Sequence, residues 1–274
     1  GEEASYAAYD INGNIVTAST PQNLLVINPA TGNVRPSGSQ GFPGYSTDLG
    51  KSRTNYAAYI DAELDVTKNW MISGAARYEN YSDFGSTLNG KFATRYAFTP
   101  EFALRGSVST GFRAPSLVQK YYSLQFTNFQ EKDLVTIQLG SNDSALAKNA
   151  GISNLTEEKS VNASAGFTYN KGKFTATVDG YMVNVKDRIV LTGYFSETEI
   201  PSLPVTYAQF FANAVDTKTK GVDIILTYAD NIGNGKLTAT LAGNFNDIKI
   251  SKVNAPSSLA GLESIFLSER EKAF

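Results

Sequence analysis

Between Asn55 and Phe112 the chain repeats one pattern four times: every second residue is apolar or small, and the residues between are polar or charged. Tyr56, Ala58, Ile60, Ala62, Leu64 and Val66 share one parity, against Asn55, Tyr59, Asp61, Glu63 and Asp65. After Thr67-Lys68-Asn69 the same parity resumes with Trp70, Ile72, Gly74, Ala76 and Tyr78. Leu88, Gly90, Phe92, Thr94, Tyr96 and Phe98 follow, then Phe102, Leu104, Gly106, Val108, Thr110 and Phe112, joined at Thr99-Pro100-Glu101. A period of two predicts β-strands with one apolar and one wet face. No charge interrupts the apolar face in any of the four.

The pattern returns after a long gap. Val161, Ala163, Ala165, Phe167 and Tyr169 turn through Asn170-Lys171-Gly172 into Phe174, Ala176, Val178, Gly180 and Met182. Val222, Ile224, Leu226 and Tyr228 pair through Asp230 to Gly235 with Leu237, Ala239, Leu241, Gly243 and Phe245. The expectation is an all-β, antiparallel up-and-down meander of about eight long strands in four hairpins. Residues 1–54 read as an outer loop preceding the first strand, with Leu24 to Ile27 as one brief strand. Residues 55–250 hold the strands, with long outer loops at 113–160 and 186–219 and a shorter connection from Asn80 to Thr87. Residues 251–274 read as a loop or short helix, Leu262, Ile265 and Phe266 having helical spacing.

Periodicity alone fits a soluble antiparallel sheet equally well, its apolar face on a core. Three features favour a transmembrane barrel. The strands run to about 10 residues or more, against the usual 5–6 of globular sheets. Connections alternate short and long, as between the two rims of an outer-membrane barrel. Aromatic residues flank the tight turns on the apolar face: Trp70, Tyr78, Tyr96, Phe98, Phe102, Tyr169, Phe174 and Tyr228. Such rings gather where lipid meets water. No apolar run reaches the roughly 18–20 residues of a spanning helix, which leaves a barrel untouched.

Composition narrows the chemistry. The 274 residues contain no histidine and no cysteine. A Ser-His triad, an imidazole base, a His-ligated zinc and thiolate chemistry are therefore unavailable in this chain. An enzyme is not expected, and no catalytic residue, metal ligand or cofactor is assigned. A net charge of −2 without a basic cluster gives no case for nucleic acid. On the polar face, reflection about the Thr99–Glu101 turn sets Arg95 opposite Arg105, an unfavourable like-charge pair unless an acidic group sits between them. Asp61, Glu63 and Asp65 lie roughly 6–7 Å apart along one face and read as lumen charges, with Arg77 in diagonal reach of Asp61. The loop after Pro115 carries Tyr121, Tyr122, Phe126 and Phe129, candidates for stacking on a ligand.

Ser109-Thr110-Gly111-Phe112-Arg113-Ala114-Pro115-Ser116, at the end of the fourth strand, resembles the barrel of TonB-dependent outer-membrane receptors. Leu155-Thr156-Glu157-Glu158-Lys159-Ser160 looks like that family's entry to the next strand. Phe211-Ala212-Asn213-Ala214-Val215-Asp216 through Lys220-Gly221-Val222-Asp223 looks like a third family stretch, in the same order. The resemblance covers Tyr56 to Phe245 and implies a segment of a barrel of about 22 strands around an N-terminal plug. It further implies active uptake of an iron–siderophore or other bulky nutrient across the outer membrane of a Gram-negative bacterium, driven through TonB. The partners so implied are outer-membrane lipid, the plug and remaining strands of the same receptor, the TonB complex and a small nutrient. With neither plug nor TonB-contacting segment before Tyr56, and the closing strands missing after Phe274, an internal portion of the barrel is expected. Many members set two barrel glutamates against two plug arginines; Asp223 occupies one of those positions and Ser164 the other, a departure from the pattern. Arg95, Arg105 and Asp223 are thus the expected plug-facing lumen charges. Absent histidine counts against haem or bare zinc as cargo. A passive porin-like channel and a secreted β-sandwich binding module are the alternatives, an outer-membrane hydrolase a distant third.

Overall fold

The computed structural model describes residues 7–9, 15–17, 25–27, 34–36, 51–130 and 133–267, with side chains described in 51–125 and 135–267. Residues 1–54 were expected as loop, yet they contain four three-residue strands: β1 (Ala7–Tyr9), β2 (Ile15–Thr17), β3 (Leu25–Ile27) and β4 (Val34–Pro36). They pair as two antiparallel ladders, β1 with β2 and β3 with β4. β3 falls at the brief strand expected at Leu24 to Ile27, and β1 and β2 lie either side of the Asn12-Gly13-Asn14 turn signal between short apolar runs.

The long strands are β5 (Asn55–Thr67), β6 (Trp70–Tyr81), β7 (Gly85–Ala97) and β8 (Phe102–Arg113). Within residues 114–157, expected as an outer loop, lie helix α1 (Leu117–Tyr121), strands β9 (Leu124–Gln130) and β10 (Asp133–Gly140), and helix α2 (Ala145–Asn149). Then come β11 (Glu158–Lys171), β12 (Phe174–Leu191), β13 (Tyr207–Ile232) and β14 (Gly235–Val253), and finally helix α3 (Glu263–Leu267). Residues 268–274 of the expected last segment lie outside the described residues.

By contacts the chain divides into two units. The larger (53–116, 153–193 and 211–274) is the expected meander: β5, β6, β7, β8, β11, β12, β13 and β14 in sequence order, every neighbour antiparallel. Tight turns close the hairpins at Lys68-Asn69, at 98–101, at Gly172-Lys173 and at Gly233-Asn234. In the two narrowest glycine turns Gly172 and Gly233 take φ of 60° and 58°, the left-handed conformation such turns favour.

Register carries the apolar parity unbroken across the sheet. Trp70 faces Tyr96, Tyr96 faces Leu104, and Leu104 faces Phe167. Ile60, Leu88, Leu241 and Phe245 remain 68–72% exposed, so among the described residues no second layer of this unit covers the apolar side. Rings gather at one height near the tight turns: Tyr96 meets Phe98 at 4.8 Å, Phe98 meets Phe102 at 6.0 Å, and Phe102 meets Phe167 at 5.8 Å. Tyr78 does not belong to this row; it pairs with Leu88 at the opposite end.

Several boundaries differ from expectation: β11 begins at Glu158, inside the supposed loop 113–160, and β14 runs on to Val253, into the supposed terminal segment 251–274. The supposed connection 80–87 is only Ser82-Asp83-Phe84, because Asn80 and Ser86 are themselves ladder partners. Loop lengths therefore do not alternate strictly. The supposed loop 186–219 shrinks to 192–206, since β12 runs on to Leu191 and β13 starts at Tyr207. There the strands lose their wet face: Ile189, Val190, Ala212, Ala214, Val215 and Thr217 are all buried. α3 joins this part through Gly193 N–H donating to the Ile265 carbonyl at 2.7 Å, with Phe266 fully buried.

The smaller unit comprises 1–52, 117–152 and 194–210. β9 and β10 form a hairpin, and residues 137–140 of β10 run parallel to 207–210. Phe195 and Phe210 pack in its core at 6.2 Å, beside buried Ile137, Ala147, Ile200 and Leu203. Ser144 caps α2 by accepting the Ala147 N–H at 3.1 Å.

Candidate functional site

The polar face of the larger unit carries one transverse row of charge. Ladder partners link Asp65 to Met71, Met71 to Arg95, Arg95 to Arg105, Arg105 to Gly166, Gly166 to Asp179, Asp179 to Asp223, and Asp223 to Asn244. The reflected Arg95–Arg105 pair is thus real, and Arg95, Arg105 and Asp223 share a row. All three line a concavity of about 590 Å³ with Lys91, Ser107 and Ser164.

The wall answers one arginine itself. Arg105 forms a two-pronged ion pair with Asp179, Nε to Oδ1 at 2.9 Å with a second contact from Nη2 to Oδ2. The side chains cross over Gly166, and only a residue without Cβ permits that crossing. A Cβ there would stand 2.2 Å from Asp179 Oδ1. Arg95 makes no hydrogen bond or ion pair among the described residues.

A second crossing lies two strands over, on β13. The Tyr181 ring lies across Gly221, where a Cβ would be 2.4 Å from the hydroxyl. That hydroxyl accepts a 3.1 Å hydrogen bond from Asn244 Nδ2, which also donates to Asp223. Asp223 is thereby hydrogen-bonded beside Asp179 without a cation among the described residues. Ser164, at the other position of interest, shares a 2.8 Å hydroxyl contact with Ser107.

Arg77 does not reach toward Asp61. It pairs along its own strand with Glu79, whose other oxygen takes the Tyr81 hydroxyl at 2.8 Å. Its ladder partner is Tyr59, which puts Asp61 a step away.

The three distinctive stretches meet at the end of the sheet away from the glycine turns. Arg113 and Glu158 are ladder partners joined by a two-pronged ion pair, Nε to Oε2 at 2.9 Å. Glu158 also accepts the Ile189 N–H at 2.8 Å. Asn213 accepts the Thr156 N–H at 2.9 Å and donates to the Thr156 carbonyl at 3.1 Å and the Asp187 carbonyl at 2.6 Å. Asp187, with φ of 56°, donates its N–H to Asp216 at 2.9 Å, at the irregularity in the β12–β13 ladder. Their first visible role is to hold strand ends together. On the same unit Arg53 grips Asp83 and the Pro115 carbonyl, at 2.7 and 2.6 Å.

The expected loop aromatics are only partly free to stack. Tyr121 and Tyr122 are half-buried, and the Tyr121 ring lies under two ammonium groups, Lys51 at 4.8 Å and Lys120 at 5.6 Å. The side chains of Phe126 and Phe129 lie outside the described residues. Sequence reading passed over Tyr194 and Tyr207, whose rings sit 5.9 Å apart in the smaller unit. Their distance in sequence gave no hint of the pair. Glu199 accepts the Ser196 backbone N–H at 2.8 Å and its hydroxyl, half of a capping box that holds its carboxyl below the usual glutamate range.

Comparison with known proteins agrees with this architecture. The family model described as TonB dependent receptor-like, beta-barrel, matches residues 5–261. The vitamin B12 transporter BtuB of Vibrio cholerae is 30% identical over 88 residues, 32% of this chain and 14% of that protein. The siderophore receptor PirA of Acinetobacter baumannii aligns with a TM-score of 0.52 at 19% identity, over 80% of this chain and 32% of its own. A variant of the ferric enterobactin receptor PfeA of Pseudomonas aeruginosa, in complex with enterobactin, gives 0.54 at 16%, over 70% and 27%. The matched part is therefore under a third of each of these proteins, and the likeness to the solved structures is one of fold.

Proposed function

Because the chain belongs to the TonB-dependent receptor β-barrel family, we propose that it is part of the wall of an outer-membrane receptor for active nutrient uptake in a Gram-negative bacterium. The observation that carries this is the uncovered apolar side of the meander, with Ile60, Leu88, Leu241 and Phe245 exposed opposite a charged row. Such a face suits hydrocarbon contact, and the charged face then borders the lumen. A secreted β-sandwich would need those residues under a second sheet.

The cargo we propose is a ferric siderophore, by analogy with the siderophore receptor PirA and the ferric enterobactin receptor PfeA. BtuB makes a corrinoid the second reading. In this proposal a plug from the same protein contacts the row of Arg95, Arg105 and Asp223, and the TonB complex supplies energy. Both tyrosine features of the smaller unit, Tyr121 beneath Lys51 and the Tyr194–Tyr207 pair, offer aromatic and cationic contacts of the kind an anionic, ring-bearing cargo would use. No covalent step is assigned to any residue.

The test is uptake by cells carrying or lacking the gene, with labelled ferric siderophores and cyanocobalamin as probes, with and without a protonophore. Energy-dependent uptake of one probe is expected. Uptake of small solutes that persists under the protonophore would instead favour the porin-like channel.

A further inference from the structure

Two arginines face each other on neighbouring strands, yet only Arg105 finds a carboxylate among the described residues. Arg105 reaches Asp179, two strands away, because Gly166 leaves the intervening position empty. Arg95 has an acid at the same separation on its other side, Asp65, but Met71 occupies the position between them. Arg105 already spends both prongs on Asp179, so it neither moves aside nor shares its partner. Arg95 is left exposed, next to a like charge, with Lys91 further along the same face of β7. Opposed like charges on adjacent strands are unfavourable unless an anion sits between or above them.

We propose that Arg95 is a seat for a carboxylate presented from the space that the polar face borders. This rests on the receptor reading above, in which that space is the lumen. A guanidinium offers a planar fork of donors that matches a carboxylate in two parallel hydrogen bonds, which a lysine ammonium cannot reproduce. The concavity in front of it, about 590 Å³, admits a side chain. Ser107 and Ser164, on the same polar face, line that concavity with hydroxyls 2.8 Å apart that can meet a carboxylate's remaining lone pairs. The occupant expected is an aspartate or glutamate of the protein's own lumen-filling segment, whose charge sign is opposite to the base that Asp223 would attract. The wall thus presents a cation at β7 and an anion at β13 in one row, a polarity that fixes how a partner can be oriented against it.

The experiment is arginine footprinting with phenylglyoxal on outer-membrane vesicles carrying the receptor as its gene encodes it, read by mass spectrometry. Reaction at Arg95 at least tenfold slower than in a free peptide, without added anion, supports a seat filled by the protein itself. Protection that appears only with millimolar citrate places the carboxylate on a solute and still upholds the seat. Reaction at the peptide rate in both conditions overturns the proposal. An Arg95→Lys receptor that unfolds at a lower urea concentration than wild type, with Lys91→Arg unchanged, gives an independent reading of the fork. Absence of the protein from the outer-membrane fraction would defeat the receptor reading itself, a result separate from any rate at Arg95.

Discussion

Glu158 holds Arg113 with both carboxylate oxygens and, with one of them, also takes the Ile189 backbone N–H at 2.8 Å. The two residues differ in exposure, the Arg113 side chain being 54% open and that of Glu158 only 8%. Their loss should therefore cost different amounts. Arg113→Ala removes a pair whose basic half is well solvated, an effect of about 0–1 kcal/mol. Glu158→Ala also strands a buried N–H, adding about 1–3 kcal/mol. Glu158→Gln keeps an acceptor for Ile189 and should fall between. Urea unfolding in lipid vesicles ranks the three, and hydrogen exchange at the Ile189 amide should accelerate in Glu158→Ala alone. Equal exchange in all three would remove Glu158 from its place as the hub.

Gly166 and Gly90 both sit in strand interiors, but they face different spaces. At Gly90 the nearest atom to an added Cβ would be the Ala75 carbonyl oxygen at 3.6 Å, an ordinary contact. At Gly166 it would strike Asp179 Oδ1 at 2.2 Å and the Val178 carbonyl oxygen at 2.3 Å. Gly90→Ala should leave stability within about 0.5 kcal/mol of wild type. Gly166→Ala should cost about 1–3 kcal/mol, the usual range for overpacking. Folding into vesicles at graded urea measures both. In sequence the two differ in parity, Gly90 falling in the apolar set and Gly166 in the polar one, but parity alone does not say which side chain crosses either.

The Arg95–Arg105 opposition was legible because one turn fixes one ladder. Arg105's partner was not, because Asp179 lies 74 residues on and two further ladders must be in register first. A signal did exist: Gly166 stands on the polar parity between an arginine and an aspartate. The strands of the meander were readable wherever one face is wet. They became unreadable from Tyr207 to Thr217, where burial falls on both faces and Phe210-Phe211-Ala212 loses its alternation. The turn at Ser82-Asp83-Phe84 was hidden by polar residues that continue both strands. No pattern in residues 117–152 foretold β9 and β10, whose pairing with 207–210 depends on contacts distant in sequence.

Glu199 gives the 196–200 turn a pH dependence. Its carboxyl is held below the usual glutamate range first by the Ser196 hydroxyl and then by the Ser196 N–H. A group whose folded pKa is depressed contributes stability above its unfolded pKa, and that stability is lost as pH falls through the folded value. The turn should therefore loosen on acidification below the ordinary glutamate range and be indifferent to pH between neutrality and about pH 6. Ser196→Ala should reduce the acid sensitivity, because the largest cause of the shift is gone. Hydrogen exchange across 196–200, compared between about pH 7 and pH 4 after correction for intrinsic rates, checks the sign; greater protection at the lower pH would reverse it.

The apolar side of the meander makes the most demanding prediction, because depth in a bilayer sets the cost of a charge. Phe92 lies mid-strand in β7, paired with Gly74 and Val108, and is 50% exposed on the uncovered face. Phe98 lies at the tight turn, in ring contact with Tyr96 at 4.8 Å, and is 56% exposed. In water the two are equivalent, and arginine at either would be tolerated alike. Against hydrocarbon, an arginine at the midplane costs about 2–4 kcal/mol and one near the interface about 0–1. Phe92→Arg should therefore destabilise folding into vesicles far more than Phe98→Arg, while Ser107→Arg, on the polar face, should show no such depth penalty. Equal penalties at positions 92 and 98 would mean that this face does not meet lipid, and the receptor assignment would lose its physical basis.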